Sequence, residues 1–260
     1  MGTNDFFNRN SNSSSNSNLN DMFSKRGNQN SFNNGQDQVE YNEYGYIERS
    51  ESEVITFVKD TYKLFAGGML VGTAGAYIGV GMAGTIAKFF WLFVILEIGL
   101  LIGIHFVKHT KPLNLIVLFG FTFVSGLTLG PILYKFLGMA GGATIIANAF
   151  AMTTVIFGGL SIFAINSKSD FTSYGKPLMI ALLVVIAGSI VNIFLGSPIL
   201  HIIIQGAVVL LFSFFIIFDT QNIIRGQYET PIDGAVALYL DFFNLFTALL
   251  QILGIMSSDD

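Results

Sequence analysis

No cysteine occurs anywhere in the 260 residues, which excludes disulfides, thiolate metal centres and a cysteine nucleophile. Charge is scarce as well. Asp, Glu, Lys and Arg together make up 12% of the chain, where an ordinary soluble domain carries about a quarter. With 52% hydrophobic residues and a mean hydropathy of +0.62, that deficit points to a membrane protein. The basic residues are scattered and the net charge is −4, so the electrostatic footprint of a nucleic-acid binder is missing.

The polar residues that do occur are concentrated at the start. Residues 1–50 are rich in Asn, Ser, Gly and Asp, with the run Asn-Ser-Asn-Ser-Ser-Ser-Asn-Ser-Asn at 10–18. Such a segment has too little apolar surface to offset its ordering entropy and reads as a disordered tail. It contains no apolar h-region, so it is not a signal peptide.

Residues 51–260 read as the membrane domain. From Tyr62 onward the chain breaks into seven apolar runs, near 62–82, 87–107, 113–135, 141–164, 178–196, 200–222 and 235–255, each close to the roughly 20 residues needed to cross a bilayer as a helix. Runs this continuous lack the two-residue alternation of a membrane barrel. The fold expected is therefore an all-α bundle of seven transmembrane helices. With the N-terminus inside, Arg49, Lys59, Lys63, Lys108, Lys111, Lys168, Lys176 and Arg225 lie on the inner side, and only Lys88 and Lys135 on the outer. This asymmetry predicts a cytoplasmic N-terminus and an external C-terminus, and the lean loops suggest a bacterial inner membrane.

Glycines at 68 and 72, at 75 and 79, and at 126 and 130 have the spacing that lets helices approach closely in lipid. Pro131 removes a backbone donor and predicts a kink in the third span.

Intramembrane polar residues are few. On the seventh span Asp241, Asn244, Thr247 and Gln251 fall within about 120° of one another. On the sixth, His201, Gln205, Asp219 and Asn222 cluster on one face, His201 lying near the outer interface. Stripes of this kind should face the bundle interior. The sixth span reaches Asp219 near its inner end and the seventh, running back, meets Asp241 about two turns in, so the two carboxyls can meet. Like charges at such a site share a proton and titrate as a unit, and their oxygens are also hard ligands suited to Ca²⁺. Glu97, midway along the second span, is the third intramembrane acid, either hydrogen-bonded to a neighbouring helix or part of an ion path.

The segments Gly126-Leu-Thr-Leu-Gly-Pro-Ile, Gly158-Gly159-Leu-Ser, Phe218-Asp-Thr-Gln and Leu238-Tyr-Leu-Asp-Phe-Phe-Asn-Leu-Phe resemble the Bax inhibitor-1 (transmembrane Bax inhibitor motif) family over about residues 55–256. The resemblance implies a bundle whose last helix is surrounded by the other six, and a pH-sensitive Ca²⁺ leak governed by Asp219 and Asp241, with Asn244 in the second motif beside them. It equally allows an interaction protein that modulates a membrane protease or a stress or cell-death machinery without conducting ions. A bacterial member is thought to latch its aspartate to an arginine on the second helix. Here 89–107 contains no Arg or Lys.

No catalytic residue and no cofactor is expected, and the reading is of a protein that is not an enzyme. An aspartyl intramembrane protease would carry Gly-x-Gly-Asp, where this chain has Leu-Tyr-Leu before Asp241, and a retinal protein would need a lysine in the seventh span. The partners expected are the bilayer, Ca²⁺, protons and a membrane protease.

Overall fold

The computed structural model describes residues 49–257. The tail before residue 49, and the disorder expected of it, lie outside the described residues. Among these the chain is helical, with no strand: α1 (Glu51–Gly81), the short α2 (Ala83–Lys88), α3 (Phe90–Val107), α4 (Leu113–Leu137), α5 (Gly142–Asn166), a 3₁₀ turn (Thr172–Tyr174), α6 (Gly175–Leu195), α7 (Pro198–Ile224) and α8 (Pro231–Met256). All but α2 are long and apolar enough to cross a membrane, seven in all.

The expected spans match these helices closely except at the start. Hydropathy places the first helix at Tyr62, whereas α1 begins at Glu51. Ser50 and Glu53 explain the difference. They form a capping box in which the Ser50 side chain accepts from Glu53 N and the Glu53 carboxylate accepts from Ser50 N, a device worth about 1 kcal/mol. A helix of 31 residues is about 46 Å long at 1.5 Å per residue, more than the ~30 Å hydrocarbon layer. Its charged first turns, with the Asp60–Lys63 ion pair at 3.0 Å, therefore project from the bilayer. Thr230 and Asp233 make a second capping box at α8, with Pro231 opening the helix. Pro131 stands inside α4, which continues past it to Leu137.

The most extensive helix pairing joins α1 to α4, and the glycines explain it. A Cβ on Gly126 would land on the Gly72 carbonyl oxygen, one on Gly75 on the Phe123 carbonyl, and one on Gly130 on the Gly79 backbone. Main chain meets main chain, as the spacing of small residues predicts.

The last helix is the centre of the bundle. In its most apolar stretch 56% of residues are buried, against 6% for α3 and none for α6. It packs on α7, α5, α1 and α4, and α3 reaches it through Ile104, which clusters with Ile232, Val236 and Tyr239. Phenylalanines fill much of the interior: Phe65 stacks on Phe157 at 5.2 Å, and Phe157 meets Phe242 edge-on at 5.6 Å. Helix α6 packs on α7 and leaves Val184, Ile193 and Phe194 facing outward, as suits a helix whose surroundings are hydrocarbon.

Candidate functional site: a buried acid pair under a polar strap

Residues 225–230 join α7 to α8, a connection so short that the two helices must run antiparallel as neighbours. That geometry brings Asp219 and Asp241 together. Asp219 is 5% exposed and Asp241 2%, and the carboxyls face each other within hydrogen-bonding reach. Two ionised carboxylates would offer acceptors only, so one proton between them is what turns the contact into a bond. Asp241 Oδ2 is buried without a hydrogen-bond partner among the described residues.

Asp219 has further donors. The Tyr228 hydroxyl donates to its Oδ1 at 2.7 Å and the Asn222 amide lies 3.5 Å from the same oxygen. Sequence reasoning missed Tyr228, because a tyrosine in a polar loop carries no intramembrane signal. Burial, and then the facing Asp219, push its phenol well above its ordinary value, so it stays a donor throughout the physiological range.

The loop that carries Tyr228 is tied down on three sides. Arg49 Nη2 donates to the Tyr228 carbonyl at 2.9 Å and the Glu229 carbonyl at 3.2 Å, and its guanidinium lies 4.2 Å from the Phe57 ring centre. Lys108, the residue that follows α3, reaches Glu229 at 2.8 Å and Asp233 at 3.4 Å, while His109 lies 3.0 Å from the other Glu229 oxygen. The hydrogen bond from Lys108 holds the Glu229 carboxyl below the usual carboxylate range. The first basic side chain after the second span thus grips the loop and leaves Asp219 to Tyr228. Beside this, Gln221 bonds Phe171 N, Ala164 O and Ser169 O, and Arg225 pairs with Asp170 at 2.8 Å, so α7 holds the α5–α6 connection as well.

Glu97 belongs to a different place. Thr128 Oγ1 on α4 lies 3.2 Å from its Oε2 and donates to the Ser125 carbonyl at 2.8 Å. This contact ties Glu97 to the neighbouring helix α4, the first of the two readings open for it. Asn244 is half-buried and bonds Leu240 O on its own helix, as Thr247 and Gln251 bond Asn244 O and Thr247 O. These three continue the stripe without touching the acids.

A crevice of about 430 Å³ between α1, α4, α5 and α8, lined by Met69, Leu133, Ile146, Phe242 and Phe246 among others, reaches neither aspartate. Among the described residues no group of three or more His, Cys, Asp or Glu could hold a metal ion; the pair by itself offers carboxyl oxygens, which can take a proton or, with further oxygen donors, Ca²⁺.

Fold and site define a multi-span helical membrane protein with a buried acid pair on its last two spans. The chain belongs to the Bax inhibitor-1 family: the family model described as "Inhibitor of apoptosis-promoting Bax1" matches residues 54–258. Among its relatives are an uncharacterised protein of Campylobacter jejuni, 53% identical over 209 residues, 78% of this chain and 89% of the relative, and one of Helicobacter pylori, 48% identical over 211 residues, 81% and 91%. The Escherichia coli protein named "Modulator of FtsH protease YccA" is 38% identical over 160 residues, 60% of this chain and 73% of that one.

Proposed function

We propose that the chain is a proton-gated cation leak of the bacterial inner membrane, with Ca²⁺ as the permeant ion, a cytoplasmic N-terminus and no enzymatic activity, and that the Asp219–Asp241 pair is its gate. The observation that carries this reading is the contact of two buried carboxyls between the central helix and its neighbour α7. With one proton shared, a charge-assisted hydrogen bond ties the helices. A second proton removes the charge assistance, the tie weakens, and leak increases on acidification. Ca²⁺ passes as cargo.

Ca²⁺ flux from vesicles reconstituted with the purified chain, measured across a pH series, tests this. Flux that rises as pH falls supports it; vesicles that stay tight at every pH overturn it. The printed name of the Escherichia coli relative favours a second reading, in which the chain restrains a membrane protease. That reading calls for co-purification of a protease with the full chain, whether or not the vesicles conduct. Orientation is checked independently by adding a cysteine at the C-terminus of this cysteine-free chain, which should react only from outside the cell.

A further inference from the structure

The loop between α7 and α8 does more than connect them. Its Tyr228 hydroxyl reaches back to Asp219 at 2.7 Å, while the next residue, Glu229, is held by Lys108 at 2.8 Å and His109 at 3.0 Å, and both carbonyls accept from Arg49. These anchors come from two separate parts of the chain: Arg49 from the segment before α1, and Lys108 and His109 from the α3–α4 connection. A loop free to move would need none of them. All three anchors hold Glu229, Arg49 holds the Tyr228 carbonyl as well, and the inward-facing product of that restraint is one hydrogen bond to one carboxyl of the pair.

We propose that Tyr228 is the latch of the acid pair: Arg49, Lys108 and His109 strap the α7–α8 connection across the end of the bundle, and the strap holds the Tyr228 hydroxyl on Asp219. This rests on the reading of the pair as a gate only for its effect on flux; the latch itself is a matter of geometry. Tyr228 is a positioning residue. It supplies a donor to the ionised form of Asp219 and closes the end of the site against water. The groups that face it are Asp219, Asp241 and Asn222 from the helices and Arg49 through its carbonyl. Those that face the strap are Lys108, His109, Glu229 and Asp233.

The absence of native cysteine makes a direct test simple. Gln227, half-buried in the strap, is replaced by cysteine in the full chain, and its labelling by a water-soluble maleimide is followed in vesicles. Tyr228→Phe keeps the ring and removes the donor. It should speed labelling by about tenfold, the equilibrium shift expected from losing one hydrogen bond to a charged group. It should also raise the pH at which flux switches by about one unit, because an undonated carboxylate takes up its second proton more readily. Lys108→Gln should move both readouts in the same direction by less, Lys108→Arg should restore them, and Lys108→Gln combined with Tyr228→Phe should match Tyr228→Phe alone.

Labelling that is unchanged by Tyr228→Phe, or effects of the two substitutions that simply add, would overturn the latch. Wild-type vesicles without flux at any pH would remove the gate while leaving the labelling series to decide the latch.

Discussion

Two helix pairs in this bundle are built on opposite plans. Along α1 and α4 the contact is between backbones, with glycines at 75, 79, 126 and 130 where any side chain would collide with main chain. Along α7 and α8 the decisive contact is between side chains, two acids and a tyrosine, each with an ionisable or rotatable group. A glycine seam has one arrangement, because dispersion between close backbones falls steeply with separation. A proton-sharing pair has two, because its bond changes with one proton. On the function proposed for the pair, the bundle places a fixed wall on one side of its central helix and an adjustable one on the other.

The comparison breaks most visibly if the seam is filled. Gly126→Leu puts a side chain on the Gly72 carbonyl, an overpacking that main chain cannot absorb, and should cost about 3 kcal/mol or more. Little folded protein should survive detergent extraction, as read by size-exclusion chromatography after a heating series. If the variant keeps the wild-type profile, the seam is not fixed.

On the adjustable side the effect should fall on regulation more than on folding. Asp219→Asn and Asp241→Asn each keep shape and remove an ionisable partner, so each should flatten the pH dependence of flux. Because the proton belongs to the pair, Asp219→Asn combined with Asp241→Asn should be little worse than either single. Two effects that add would separate the acids. Glu97→Gln, away from the pair, should leave the pH response in place.

Smaller effects test the margins. Thr128→Val withdraws the partner of Glu97 and should lower detergent stability by about 1–2 kcal/mol, the cost of a half-buried polar group left alone. At the strap, Lys108 depresses the Glu229 carboxyl. Its contribution is therefore complete above the unfolded glutamate value of about 4.3 and is lost as pH falls through the folded value. Glu229 is 43% exposed, so the contribution should stay under about 1 kcal/mol. Comparing thermal midpoints of wild type and Glu229→Gln should show a gap above pH 5 that closes in stronger acid.

Much of this was legible in the sequence. Seven spans follow from continuous apolar runs, the seam from glycine spacing, and the meeting of Asp219 with Asp241 from two antiparallel neighbours and their offsets. The beginning of α1 was not, because Glu51 to Tyr62 is too polar for a hydropathy reading and is helical through its cap. Nor was the peripheral place of α3 and α6. Leucine and isoleucine suit lipid and protein interior alike, so uniform hydropathy does not say which helix lies at the centre. Tyr228 escaped because its partner is chosen by the fold. The signal that could have found it is its position, a hydroxyl nine residues beyond Asp219 in a connection too short to lead it elsewhere.

That proximity has a consequence for holding a charge in lipid. An aspartate entering a bilayer on a lone helix would be exposed to hydrocarbon at a cost of several kcal/mol. Asp219 finds its donor nine residues on, in Tyr228, and Asp241 arrives on the returning helix. The last two spans, from Pro198 to Met256, therefore carry within one stretch of chain every side chain seen to bond the Asp219 carboxyl among the described residues, so that a charge placed in the bilayer is matched by its own hairpin.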